Sequence, residues 1–120
     1  MAYTATHKYA RISPRKVRAL ADLVRGKFAD EALDILRFQP HRGARMLEKV
    51  IKSALGNAEH QQASGIDDLV VIDARIDPGP MFKRHRPRAR GMAFGIKRRM
   101  SHIKVALDAP AALAGSSGAE

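Results

Sequence analysis

The sequence has no cysteine, no tryptophan and only six other aromatic residues (two Tyr, four Phe) in its 120 positions. Without cysteine there is no disulfide framework, no thiolate zinc or iron–sulfur site, and no cysteine nucleophile. No apolar run approaches the ~18 residues that span a bilayer. The first eight residues, Met1 to Lys8, lack the apolar stretch of a secretory signal, so the expected location is the cytoplasm and no membrane partner is expected. Much of the 45% hydrophobic content is alanine, which leaves material for one modest core. Acid is missing too: from Pro78 to Val105 there is not one Asp or Glu.

That same segment holds Lys83, Arg84, Arg86, Arg88, Arg90, Lys97, Arg98, Arg99 and Lys104. Met1 to Lys27 is also basic, with Asp22 as its single acid, whereas acids prevail from Glu48 to Asp77. The whole chain carries 22 Lys and Arg against 12 Asp and Glu, a formal charge of +10. A solvated face normally mixes signs, so this segregation points to a polyanionic partner, in the first place nucleic acid.

The pattern predicts an α+β fold. Residues 3–12 alternate as a short strand. Ser13-Pro14 opens a helix, with the Ser13 hydroxyl oxygen as the expected N-cap acceptor and Pro14 at the first helical position. Val17, Leu20, Ala21 and Val24 follow at helical spacing, and Gly26 ends it. A second helix fits Asp30 to Arg37, with no good capping residue before it. Pro40 stops it and is positioned to open a third, from about His41 to His60, on a stripe of Ala44, Leu47, Val50, Ile51, Ala54, Leu55 and Ala58. Gln61 to Asp68 reads as a loop. Leu69 to Asp77 reads as a strand, with Val70, Ile72, Ala74 and Ile76 on one face. A second extended stretch returns from Ile96 to Leu107. Three helices are therefore expected on a small antiparallel three-stranded sheet. Residues 1–108 form the expected single RNA-binding domain, and 109–120 a disordered low-complexity tail.

Met81 to Ile103 cannot bury enough apolar surface to offset its own ordering entropy. With extended chain on both sides, it is expected to form a long protruding β-hairpin arm over about residues 80–104. Its turn falls near Arg88-Ala89-Arg90-Gly91, with Gly91 supplying a positive φ. Two arms of ~11 residues would each extend ~35 Å. Arginine forks match phosphate oxygens two at a time. The residues expected to bind RNA are Lys8, Arg11, Arg15, Lys16 and Arg18 around the first helix, and Lys83, Arg84, His85, Arg86, Arg88, Arg90, Lys97, Arg98, Arg99 and His102 in the arm. Phe82 and Phe94 have two readings, base stacking or packing of the arm on the domain, and packing is the commoner fate of lone aromatics.

Several stretches resemble the family of the large-subunit ribosomal protein numbered twenty-two. They are Tyr9-Ala10-Arg11-Ile12-Ser13-Pro14-Arg15-Lys16-Val17-Arg18, Ala21 to Lys27, Ser53 to His60, Gly79-Pro80, Lys83-Arg84, Arg86 to Gly91, and Ser101-His102-Ile103. The resemblance runs in order over roughly residues 3–108. It implies binding to large-subunit rRNA near the tunnel exit, contact with neighbouring ribosomal proteins, and a part in assembly. It also implies that the hairpin tip, Arg88, Ala89, Arg90, Gly91 and Met92, lines the nascent-peptide tunnel, where changes can alter macrolide sensitivity. Met92 and Gly95 stand where the family often has Arg, and Met100 where Thr is common.

Signals for chemistry are weak. Gly26-Lys27 lacks the rest of a phosphate loop. Glu59-His60 are adjacent and cannot share one face of a helix around a metal. No catalytic residue, metal or cofactor is expected, and no homo-oligomer. Two alternatives remain: a stand-alone basic nucleic-acid binder, and an RNA-processing enzyme in which His85 and His102 meet across the hairpin as an acid–base pair.

Overall fold

The computed structural model describes residues 2–62, 65–87 and 89–109, with the side chains of Ala93 and Phe94 excepted. The elements run β1 (Tyr3–Ala10), α1 (Pro14–Val24), α2 (Ala29–Arg37), α3 (Arg42–His60), β2 (Val70–Pro78), β3 (Phe82–Pro87), β4 (Ala93–Arg98) and β5 (Ser101–Asp108). Single 3₁₀ turns lie at Ile66–Asp68 and Ala89–Gly91. This is the α+β architecture expected, with three helices over a three-stranded antiparallel sheet of order β1-β5-β2. The low-complexity tail lies, from residue 110 on, outside the described residues.

Three rungs cross the sheet on its covered face: Tyr3–Leu107–Val71, Ala5–Val105–Ala74 and His7–Ile103–Ile76. The helices close this face, α3 over β1 and β5, and α1 over β2. Val17, Leu36, Leu47, Ile51, Ile103, Val105 and Leu107 are fully enclosed. Burying each such side chain contributes about 1.5–3 kcal/mol. Thr4, Thr6, Lys104 and Arg75 occupy the opposite face, which no helix covers.

The expected two-fold alternation of β2 is overturned by a bulge between Val71 and Asp73. One extra residue reverses which side each later residue faces. Val71 therefore joins Ala74 and Ile76 in the core, while Ile72 is only half-buried. The outward main-chain groups of β2 are met by neighbours. Gly26 N–H donates to Val71 O, Val71 N–H to Lys27 O, and Ala29 N–H to Leu69 O, all within 2.8–2.9 Å. Farther along, Arg25 donates to Ala74 O at 2.6 and 3.0 Å, and Arg18 to Ile76 O at 3.3 and 3.4 Å.

Helix ends also differ from expectation. Pro14 is the first residue of α1 and Gly26 follows its end with φ +80°, but Ser13 makes no side-chain capping bond. Its neighbour in space, Ser101, is the hydroxyl that works here: fully buried, it donates to Ile12 O at 2.6 Å. Pro40 does not open α3; it stands two residues before Arg42, with His41 at the N-cap. The turn from α2 to α3 is held by Arg45, whose guanidinium donates to the carbonyls of Leu36, Arg37 and Gln39 and pairs with Glu48 at 2.8 Å.

The long arm divides in two. The extended stretch expected from Ile96 to Leu107 is broken at Arg99 and Met100. Beyond Pro78↔Ser101, the last pair of the main sheet, a separate two-stranded sheet begins with Phe82↔Arg98 and ends with Pro87↔Ala93. Each of its strands has six residues, so the hairpin proper reaches ~20 Å rather than ~35 Å. Its turn carries positive φ at Arg90 (63°) and Gly91 (72°), the conformation foreseen for Gly91; Arg88 lies outside the described residues. The radius of gyration is 17.5 Å and the longest extent 64 Å, against ~14 Å expected for a compact chain of this length.

Replacing Ser101 by Ala removes the donor of the half-buried Ile12 O. Urea unfolding is expected to show a loss of about 1–3 kcal/mol, while Ala at the exposed Ser53 changes stability by less than about 0.5 kcal/mol.

Candidate nucleic-acid interface

Three of the chain's own junctions converge on one cleft of about 1180 Å³. Arg11, Ile12 and Ser13 come from the end of β1; Arg15, Lys16 and Ala19 from the first turns of α1; His41, Arg42 and Gly43 from the start of α3. The far wall is the base of the hairpin: Phe82, Arg84, Lys97, Arg98, Arg99 and Met100. Eight lining residues are Lys or Arg, and none is acidic.

The two helix starts meet here because α3 carries glycine where it crosses α1. A Cβ built on Gly43 would stand 3.1 Å from Ile12 Cδ1 and 3.3 Å from both Leu20 Cδ1 and Val17 Cγ2. Neither α1 nor α3 has an acid in its first turn or a side-chain cap. Their positive dipole ends therefore add to the surrounding cations. The contrast is α2, which starts with Asp30 and Glu31. The hairpin base is fixed to the sheet by Gly79 N–H donating to Met100 O at 2.8 Å.

The ion pairs among the described residues, Arg25–Asp22, Arg45–Glu48 and Arg75–Asp73, all lie away from the cleft. Arginine is thus used in two ways. Arg18, Arg25 and Arg45 spend their donors on main-chain carbonyls of the fold. Among the cleft arginines, Arg84 donates once, to the adjacent Lys83 O at 3.2 Å, while Arg11, Arg15, Arg42, Arg98 and Arg99 make no hydrogen bond to the described residues and keep their donors for whatever enters.

Of the residues expected from sequence, Arg11, Arg15, Lys16, Arg84, Lys97, Arg98 and Arg99 line the cleft. Lys83, His85, Arg86 and Arg90 are exposed along the hairpin, and Lys8 is exposed on β1. Arg18 stands apart, bound to Ile76 O. His102 sits in β5, where its Nδ1 accepts the Tyr9 N–H at 3.1 Å and its ring meets Tyr9 edge-on at 5.0 Å. His85 lies opposite Gly95 and His102 opposite Asp77, on different sheets. The non-strand links 79–81 and 99–100 lie between the two sheets, so these histidines do not face each other across one ladder as an acid–base pair. Phe82 does not pack into the core: it is 48% exposed, beneath the Arg84 guanidinium at 5.3 Å. Sequence reading missed His41 and Arg42. The signal was present, since a helix opening His-Arg-Gly with no acid in its first turn leaves a bare positive end.

The family model described as ribosomal protein L22p/L17e matches residues 5–108. Relatives called large ribosomal subunit protein uL22 align over nearly the same span. That of Rhodopirellula baltica is 66% identical over 110 residues, covering 88% of this chain and 92% of the relative. That of Caldicellulosiruptor saccharolyticus is 54% identical over 104 residues, covering 87% and 85%. That of Desulfosudis oleivorans is 47% identical over 109 residues, covering 91% and 95%.

For a polyanion such as poly(U), each cleft cation that meets a phosphate contributes about 0.7 to the slope of log K against log[salt]. Arg42→Ala and Arg99→Ala are each expected to reduce the slope by that amount. Arg18→Ala, which removes a side chain held by Ile76 O, is expected to leave it unchanged.

Proposed function

The chain belongs to the ribosomal protein L22p/L17e family, and on that premise we infer that its basic cleft and hairpin together form the rRNA-binding surface of a large-subunit protein. The protein is a structural constituent of the large ribosomal subunit, in the ribosome of the cytoplasm, and not an enzyme. Its partners are rRNA and other ribosomal proteins. The observation that carries the interface is the acid-free ring of eight cations at the hairpin's root. Phosphates bound there release condensed counterions, and the gain is entropic and independent of base sequence.

The hairpin extends this surface. Every residue of β3 is exposed, and a two-stranded ribbon is marginal by itself in water. Cations at Lys83, Arg84, Arg86, Arg90, Lys97 and Arg98 give RNA a grip on the ribbon along its whole length. The arm adds reach, and a large particle gives it an interior to reach into. Its tip, Arg88 to Met92, lines the nascent-peptide exit tunnel in this proposal, with the globular domain supporting assembly near the exit. Met92, 60% exposed beside the turn, is then the side chain offered to passing peptide.

The native chain has no thiol, so Met92→Cys creates a single one. In particles carrying this variant and a stalled nascent chain, a short thiol-reactive cross-linker is expected to join Cys at 92 to the peptide. The same position joined only to RNA or to another ribosomal protein would remove the tip from the tunnel. Sedimentation tests the coarser statement: tagged full-length protein is expected in large-subunit fractions, and recovery only as free protein at low salt would oppose it.

A further inference from the structure

Resting on the reading of the cleft as an RNA interface, we propose that it takes an unpaired RNA segment and that Phe82 stacks one extruded base there. Two observations carry this. The first is size. About 1180 Å³ corresponds to a space some 11 Å across if taken as a cube. The cleft is partly open to solvent, so this length sets how much of a strand its walls contact and not what can lie across its mouth. A single strand, at about 3.4 Å per nucleotide when stacked, places roughly three nucleotides in it.

The second observation is the ring itself. Phosphate binding needs cations only, yet the cleft wall includes a half-exposed phenyl group. Phe82 and Arg84 are two apart on β3 and so share a face of the ribbon, which sets the guanidinium over the ring at 5.3 Å. Arg98 is paired directly across from Phe82. The ring is therefore set among cations and stays half-exposed where it lines the cleft. An apolar, π-bearing surface between phosphate ligands fits an unstacked nucleotide: backbone on the cations, base on the phenyl face. A protein segment has no charge with which to match these walls unless it is acidic, and it would leave eight cations to be desolvated.

The test uses the full chain and three synthetic RNAs: a hairpin stem with a three-nucleotide bulge, the same stem fully paired, and the bulged stem with abasic sites in the bulge. The protein has no tryptophan, so Phe82→Trp introduces the only indole. Its fluorescence is expected to be quenched by the bulged stem and not by the other two. Phe82→Leu is expected to weaken binding of the bulged stem about 5- to 150-fold, the range of one lost base–aromatic stack, with the paired stem and the salt slope unchanged; Phe82→Tyr should retain the native preference. Thermal melts of the variants verify that the globular domain is intact. Equal binding of all three RNAs by the native protein, or an equal loss on all three in Phe82→Leu, would overturn the proposal while leaving the phosphate interface standing. An indole shielded in assembled particles but indifferent to all three RNAs would overturn it in favour of a protein contact. Absence of any salt-dependent RNA binding would instead remove the interface reading on which it rests.

Discussion

Like charges gathered around a cleft repel one another, and the fold has to hold them in place with forces supplied elsewhere. Unit charges about 8 Å apart repel by roughly 0.5 kcal/mol in bulk water and about 2 kcal/mol at the effective dielectric of a protein surface. Eight cations with no acid between them therefore strain the free protein. Their positions are fixed from behind by apolar packing. Gly43 lets α3 lie against Val17 and Leu20 of α1, and the buried Ser101 hydroxyl ties the end of β1 to β5. β5 is central in both respects. Its Ile103, Val105 and Leu107 anchor the core, and its first residues follow directly on the Arg99-Met100 link that joins it to Arg98 at the end of β4. Strain of this kind is relieved when phosphate arrives, so part of the affinity is stored in the unbound state.

The division of arginines follows from the same constraint. A guanidinium that donates two or more N–H groups to main-chain carbonyls serves the fold as a donor that happens to be charged. Arg45 closes the α2–α3 turn in that way, and Arg18 and Arg25 fasten α1 to β2. Acids are placed where they do not oppose the interface: at the start of α2, along β2 and in the turn before it. The molecule is thus polarised, with its uncompensated charge gathered on the cleft and the hairpin.

Much of this was legible in the chain. α1 and α3 follow from apolar spacing and from Pro14 and Gly26, and the basic arm from a run of 28 residues without acid. What could not be read depends on single-residue shifts or on distant neighbours. The bulge at Ile72 changes no composition, yet it moves Val71 into the core. Ser13 has the right identity for a cap, but the bond that matters at that corner comes from Ser101, 88 residues later. The break at Arg99-Met100 interrupts a stretch with no glycine or proline to mark it, so the arm reads too long. Arg18 cannot be told from Arg15 in sequence; only the strand beside α1 shows that one is engaged and the other free. Phe82 looks like any lone aromatic until its exposure is known.

The outward side of β2 has its own consequence. With the carbonyls of Leu69, Val71, Ala74 and Ile76 taken by Arg18, Arg25 and the chain at Gly26–Ala29, that edge offers a second molecule few main-chain acceptors. A newly made copy must persist in solution until nucleic acid is ready for it, with its charge unneutralised and its ribbon bare. Arginines in and just after the first helix blunt this one edge of the sheet against cross-β growth during that wait, so the residue type that commits the protein to its assembly also opposes self-assembly along β2.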